Sequence, residues 1–392
     1  MPSTNRVTDE SAKILHVITR LDVGGSAENT VISATRMPSP EFACSLISGL
    51  TEDPAPGAAK AVYAAGIPWF ELPCLRRDVH PALDAKALLQ LWKLIRGLRP
   101  DIVHTHSSKA GFLGRVAARL AGVRHVVHTP HGHVFDGYFG RGPTRAFIAL
   151  ERWAARFTDR IITLTDAEAA QHLAVGIARP EQFVTIPSGV ELCDIPTAAG
   201  EGERVRDELG LASTTPLIGA ISRLVPIKGL QHLIAATPEI LRRCPEAHLV
   251  IAGDGEQRAM LEAMARDAGL ESRVHFLGYR QDVAAVTAAL DVFVLPSINE
   301  GQGRVLVYAM ALGKPIVASR VGGVPELLGE EEAGWLVPPA DPTSLAHAVG
   351  SLLEDPRHAA KLGDAARARA PRYSVEAMLA ALAKLYREVM AT

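Results

Sequence analysis

The 392-residue sequence has only four cysteines, Cys44, Cys74, Cys193 and Cys244, and no Cys-x-x-Cys pair. That sparsity excludes a disulfide scaffold and the cysteine-rich zinc modules, and predicts reduced thiols. Net charge is almost absent: 41 Lys and Arg stand against 43 Asp and Glu, a formal charge of -2. A protein that neutralised nucleic-acid phosphates would carry a marked basic excess. No run of about 18 apolar residues occurs, so no segment reads as a transmembrane helix. Residues 1–11 are polar, carry Asp9 and Glu10, and lack the basic start and apolar stretch of a secretory signal. The expectation is a cytoplasmic protein, at most peripheral to the inner membrane face. A mild asymmetry points the same way, with 21 basic and 17 acidic residues through Val190 and 20 and 26 after it.

Several catalytic signatures are missing too. The glycines at Gly24-Gly25 do not extend to G-x-G-x-x-G, and Gly313-Lys314 runs into Pro315 without the upstream glycine of a phosphate-binding P-loop. A nicotinamide site and an ATPase motor are therefore disfavoured. No G-x-S-x-G elbow and no Asp-x-Asp pair occur, which weakens a serine hydrolase and a carboxylate site for nucleotide-bound Mg²⁺.

What the chain does contain is enough apolar sequence, 48% against 21% charged, for two sizeable cores. Short β-branched runs alternate with longer helical segments from Lys13–Ile18 through Phe183–Ile186, and again from Leu217–Ile221 onward. That is the rhythm of parallel β-α-β units, and it predicts two Rossmann-like α/β domains facing across a cleft. An aperiodic stretch around 190–202, rich in Pro, Gly, Thr and Ala, reads as the linker. The predicted domains are 1–192, completed by a C-terminal helix over 375–392, and 193–374. In such sheets ligands gather beyond the strand C-termini, so chemistry is sought directly after each strand.

After the apolar run Val292–Leu295 comes Pro296-Ser-Ile-Asn-Glu300-Gly301-Gln302-Gly303-Arg304, leading into a helix. A glycine loop entering a helix is an anion site, because unpaired amides and the helix dipole point at the bound group. Glycines alone also suit a plain tight turn. Glu300 at such a mouth needs a donor, and sugar hydroxyls are suitable donors. Arg223 and Lys228 follow the run Leu217–Ile221 beside another helix start, where two cations imply an anion between them. Six histidines fall between 104 and 133. A metal site is one reading of them; strand ends carrying polar residues into a cleft, with His131 on the substrate, is the other.

Taken together these segments resemble glycosyltransferase family 4, retaining enzymes of the GT-B fold that use nucleotide-sugar donors, and in particular members that build cell-surface polysaccharides. The likeness spans nearly the whole chain. It rests on Asp22-Val-Gly-Gly-Ser-Ala-Glu28, His104-Thr-His-Ser-Ser-Lys, His128-Thr-Pro-His-Gly132, Ser222-Arg-Leu-Val-Pro-Ile-Lys-Gly229, Ala252-Gly-Asp-Gly255, Phe276-Leu-Gly-Tyr279 and the Glu300 loop through Gly313-Lys-Pro. The resemblance implies that Arg223 and Lys228 hold the donor diphosphate and Glu300 a hydroxyl of the transferred sugar. Backbone around Gly301, Gln302, Gly303, Arg304 and Val305 would surround sugar and phosphates. The Gly25 amide would meet the distal phosphate, His131 would face the sugar from the other domain, and Gly278, Tyr279 and Arg280 would touch the base. The implied reaction takes a hexose or N-acetylhexosamine from a nucleotide diphosphate sugar, UDP above all, to a glycan or lipid-linked acceptor, without a cofactor or metal.

One position departs from the pattern. The family carries Glu-x7-Glu, and eight residues after Glu300 stands Tyr308. A phenol cannot accept from both ribose hydroxyls as a carboxylate does. A different nucleotide, a weakened homologue or a non-catalytic partner therefore stays open beside the transferase, as do a GT-B sugar epimerase or phosphorylase and a metal-dependent hydrolase. Arg76–His80 and the loop Phe135–Thr144 are candidate acceptor contacts. Oligomeric state is not legible.

Overall fold

A computed structural model of the chain describes residues 11–22, 24–38, 40–51, 57–132, 141–193, 195 and 200–392. Two units divide it: residues through Gly189 together with Glu376–Thr392, and Val190–Val375. The sequence-based boundaries stood at 192/193 and 374/375. Residues 135–140 of the candidate acceptor loop, and 196–199 of the expected linker, lie outside the described residues.

The first unit is built on a seven-stranded sheet: β1 (Ala12–Ile18), β2 (Phe42–Gly49), β3 (Trp69–Leu72), β4 (Ile102–His106), β5 (His125–Thr129), β6 (Arg160–Thr163) and β7 (Phe183–Thr185), in the order β3-β2-β1-β4-β5-β6-β7, with every pair parallel. Buried on both faces, β4 and β5 have no exposed residue. Chain order reverses between β1 and β4, so the crevice where such sheets bind ligands opens beyond those two strands. Right-handed crossovers put helices Pro81–Leu98, Ser108–Ala121 and Arg141–Ala155 on one face, and Gly25–Thr35 and Ala58–Ala65 on the other. The C-terminal helix Val375–Met390 belongs almost wholly to this unit. Its Tyr386 is fully buried, edge-on to Phe42 and 2.7 Å from His104 Nδ1.

The second unit repeats the plan with six strands: β8 (Leu217–Ile221), β9 (His248–Ala252), β10 (Val274–Gly278), β11 (Val292–Leu295), β12 (Ile316–Ser319) and β13 (Trp335–Val337), in the order β10-β9-β8-β11-β12-β13. Here the order reverses between β8 and β11. Helix Gly202–Glu208 opens at the end of the stretch read as linker. Its polar sequence lacks an apolar stripe, but Val205 is buried and Arg206 spans to Asp291 at 2.8 Å. Tertiary contacts fix this helix where periodicity is silent. Cys44 and Cys74 are buried, and burial pushes the Cys44 thiol up to about 12.

Candidate active site

Three helices at the two reversal points begin on glycine: Gly24 precedes Gly25–Thr35, Gly229 precedes Leu230–Arg243, and Gly303 precedes Arg304–Ala311. None has a side-chain cap, so the first-turn amides of each are not covered by the residue that starts it. Gly25 is exposed at its helix start, directly beyond β1.

In the second unit the loops after β8 and β11 are knitted together. The amides of Ile298 and Asn299 both donate to the Ile227 carbonyl, at 2.8 and 3.3 Å. Gly229 sits at φ 66°, where a Cβ would overlap the Pro296 carbonyl. This close approach brings Lys228 Nζ to 2.6 Å from Glu300 Oε2, which also accepts from Ser297 Oγ at 3.1 Å. The side chains of Lys228 and Glu300 are 17% and 12% exposed, so each partly desolvated charge has its counter-charge beside it. Arg223 is exposed and makes no ion pair among the described residues. Gln302 and Gly303 are buried, Arg304 and Val305 are half-buried, and Gly301 is exposed. Tyr308 is half-buried against the apolar core of this unit.

The segment Gly278–Arg280 follows β10, and the Gly278 carbonyl accepts from the Gly253 amide at 2.7 Å. Arg280 binds Asp282 through two nitrogens, at 2.8 and 2.7 Å, and Glu208 at 2.9 Å. These hydrogen bonds raise the guanidinium's pKa further and hold the Asp282 carboxyl down at about 2, with Arg204 adding to the effect. Arg280 is thus committed to carboxylates, and Tyr279, 55% exposed, is the open side chain of this segment.

In the first unit His131 follows β5 at φ 59°, a left-handed backbone uncommon for a residue with a Cβ. The turn is held by Glu168, whose buried carboxylate accepts from Gly132 N at 2.9 Å and Leu164 N at 2.8 Å. Burial raises the Glu168 pKa, and the two amides oppose that shift. His131 Nε2 lies 2.9 Å from His106 Nδ1. Of the candidate acceptor segment Arg76–His80, all five residues are exposed, and His80 caps helix Pro81–Leu98 by accepting from Leu83 N at 3.3 Å.

Sequence comparison gives these loops a family. Residues 202–369 match the family described as "Glycosyl transferases group 1", and residues 41–189 the "Glycosyl transferase 4-like domain". An Escherichia coli protein, UDP-Gal:alpha-D-GlcNAc-diphosphoundecaprenol alpha-1,3-galactosyltransferase, is 32% identical over 354 residues, covering 89% of each chain. The chain belongs to the family-4-like glycosyltransferases of the GT-B fold. The 2-deoxystreptamine glucosyltransferase of Streptomyces kanamyceticus is 32% identical over 71% of this glycosyltransferase and 74% of its own length. Among solved structures, Anabaena Alr3699/HepE in complex with UDP aligns with a TM-score of 0.79 at 26% identity, over 96% of this chain and all of that one. The same Anabaena protein has been solved with UDP-glucose, with a TM-score of 0.77 at 25% identity over 96% and 99% of the two chains.

Two residues that hold these loops of the glycosyltransferase are not legible in the sequence. Glu168 sits in Thr165-Asp-Ala-Glu168, a pattern that marks a helix start and hides the long-range bond to Gly132. Gly322 lies at φ 51° with its Cα against the Glu300 carbonyl, while the Gly323 amide donates to the Gly301 carbonyl at 2.8 Å. An alanine at 322 would overlap that carbonyl and also carry a left-handed backbone cost of about 1–2 kcal/mol. Gly322→Ala should therefore displace Glu300 and lower kcat by roughly tenfold or more, with the far-ultraviolet circular dichroism unchanged. Normal turnover would show that the backbone of Glu300 need not be held there.

Proposed function

We propose that this glycosyltransferase moves a hexose or N-acetylhexosamine from a UDP-sugar to a hydroxyl of a lipid-linked saccharide, with retention at the anomeric carbon. The observation that carries the reading is Lys228 seated on Glu300 at the reversal point of the second sheet, a cation and a hydroxyl-accepting acid side by side at a helix start. UDP and UDP-glucose in the Anabaena relative support the donor, and the name of the Escherichia coli relative supports the acceptor class. In the proposed step the bond from the sugar C1 to the β-phosphate oxygen breaks and its electron pair leaves with UDP. The acceptor oxygen bonds C1 on the same face, and its proton passes to the departing phosphate oxygen. Arg223, Lys228 and the first-turn amides after Gly303 take up the charge that develops on the diphosphate. In this reading the two cations supply what a divalent ion supplies elsewhere, so we assign no metal. Glu300 accepts from a sugar hydroxyl once the diphosphate draws Lys228 away, and His131 hydrogen-bonds a substrate hydroxyl.

Tyr308 occupies the place of the family's second glutamate. If the ribose lies there, Tyr308→Glu should tighten UDP binding in calorimetry by about 1–3 kcal/mol, the value of pairing two otherwise unmatched donors. Unchanged or weaker binding would mean that the pocket is shaped around the phenol.

A membrane location is supported by the face formed by helices Pro81–Leu98, Ser108–Ala121 and Arg141–Ala155. Between residues 81 and 156 the sequence has twelve Lys and Arg against four Asp and Glu. The acids within the helices are spoken for, Asp84 by Lys109 and Glu151 by Arg115. Lys86, Lys93, Arg119 and Arg145 are exposed and make no ion pair among the described residues. Leu89, Leu120, Leu150 and Trp153 are exposed among them. Cations interleaved with apolar side chains suit an anionic lipid surface. No helix among the described residues is long and apolar enough to cross a membrane.

The test is transfer of labelled sugar from UDP-glucose, UDP-galactose and UDP-N-acetylglucosamine to a polyprenyl-diphosphate saccharide in anionic vesicles containing EDTA. An α-linked product from an α-configured donor is expected. A β-linked product would overturn retention. Conversion of a donor with no acceptor present would point to an epimerase, and no turnover with any UDP-sugar would overturn the reading. Reversing Lys86, Lys93 and Arg119 to glutamate should reduce turnover on vesicles and spare it on a water-soluble acceptor.

A further inference from the structure

Behind His131 the first unit holds two further imidazoles in a row with it, His16 and His106, to which the proposed step gives no role. β1 and β4 pair in parallel with His16 opposite His104 and Ile18 opposite His106. Alternate residues of a strand share a face, so His16, His104 and His106 project together. His16 Nδ1 lies 3.0 Å from His106 Nε2, and His106 Nδ1 lies 2.9 Å from His131 Nε2. The rings stack in sequence, 19° between the planes of His16 and His106 and 22° between His106 and His131. His16 and His106 are completely buried, and burial keeps both neutral, His16 down at about 3 and His106 well below its ordinary value. His104 stands outside the row, with its two nitrogens 2.7 Å from the Tyr386 hydroxyl and 2.7 Å from Thr129 Oγ1.

A neutral imidazole has one N–H and one lone pair. Three of them joined by two hydrogen bonds have two consistent proton arrangements. Protons on Nε2 throughout would run the row from His131 inward and end it on His16 Nε2–H. Protons on Nδ1 throughout run it outward and leave His16 Nε2 as a bare lone pair. His16 Nε2 is buried and has no hydrogen-bond partner among the described residues. Orphaned buried N–H groups are rarer than under-satisfied acceptors, which selects the outward arrangement.

We infer that the buried pair His16 and His106 sets the tautomer of His131, so that His131 accepts from His106 at Nε2 and presents Nδ1–H to the substrate as a donor. His16 and His106 are positioning residues, acting through His131, and the inference rests on the reading that His131 touches substrate. It explains why an imidazole in a left-handed turn is backed by two others with no contact of their own to the surface. One nitrogen each from His16, His104 and His106 also lies within 4.8 Å of the others, as metal ligands would. Binding an ion there would break the bonds that His104 and His106 already make.

The experiment is nitrogen-15 NMR of the full chain with labelled histidine, resonances assigned by substitution, beside steady-state kinetics. His16, His106 and His131 should all appear as Nδ1–H tautomers. His16→Asn places an amide N–H near the Nδ1 position and should preserve the His131 tautomer and most of the turnover. His16→Leu, lacking a donor, should mix the tautomers of His106 and His131. It should lower kcat by about tenfold, the worth of one hydrogen bond, with KM for the sugar donor nearly unchanged. A wild-type His16 protonated at Nε2, a His131 tautomer indifferent to His16→Leu, or stoichiometric zinc displacing the hydrogen bonds would each overturn the inference. If His16→Leu does not fold, the wild-type and His16→Asn spectra decide. The spectra are independent of turnover, so failure of the transferase reading would leave them standing.

Discussion

Replacing Lys228 with methionine should lower kcat for sugar transfer about a hundredfold, the usual effect of deleting one preorganised donor to developing charge. Methionine keeps the length of the side chain and removes only the ammonium. Because Lys228 is the counter-charge of a carboxylate that is 12% exposed, the change also removes that counter-charge and leaves the Glu300 carboxylate accepting from Ser297 Oγ. A stability loss of about 1–3 kcal/mol is therefore expected beside the kinetic one, and the two are separated by measuring turnover well below the melting temperature. Arg223 is exposed and outside any ion pair among the described residues, so Arg223→Ala should cost turnover at least tenfold, about 1.4 kcal/mol, with melting unaffected. A normal kcat in both variants would remove the diphosphate from these loops.

Acid should unfold the first unit well before ordinary carboxylate titration explains it. Burial lowers the pKa of His16 to about 3 and those of His104, His106 and His128 well below their ordinary value. Neighbouring imidazoles add to this at His104 and His106, and the Arg115 guanidinium adds to it at His128. A depressed folded pKa means that the unfolded chain binds the proton first. The stability these groups contribute is present above about 6.5, their unfolded value, and is lost as pH falls toward the folded value. For His16 the loss by pH 5 is about 2 kcal/mol relative to pH 8, and the other three act in the same direction. Glu168 works in the opposite sense: its raised pKa contributes fully below the unfolded carboxylate value and is lost as pH rises through the folded one. One carboxylate offsets only part of four histidines. Calorimetry at pH 8, 6 and 5 should show a steep fall in melting temperature, and His16→Leu should flatten it. A melting temperature constant over that range would mean that water or conformational opening reaches the imidazoles.

The β-α rhythm was legible because strands buried on both faces, such as β8 and β11, read as unbroken apolar runs, and the glycine and cation after each run marked where that strand hands over to a loop and helix. The union of Lys228 with Glu300 was not legible, since 72 residues separate them and only the approach of Gly229 to Pro296 brings their loops together. The hold of Gly322 on the Glu300 backbone was hidden for the same reason: a glycine's sequence position does not say which carbonyl it lies against. Six histidines were visible as a cluster. Strand register decides that His16, absent from that cluster, joins His106, whereas His128 turns to Thr105. Commitment of Arg280 to Asp282 and Glu208 likewise depends on helix Gly202–Glu208, which has no apolar stripe to announce it.

The claim at the centre of this account is that the loops after β8 and β11 grip a diphosphate. Titration calorimetry of UDP against uridine tests it most directly. UDP should bind at least tenfold more tightly, about 1.4 kcal/mol, and the advantage should largely vanish in the Lys228→Met, Arg223→Ala double variant. Equal affinity for UDP and uridine, or an advantage that survives the double variant, would contradict it.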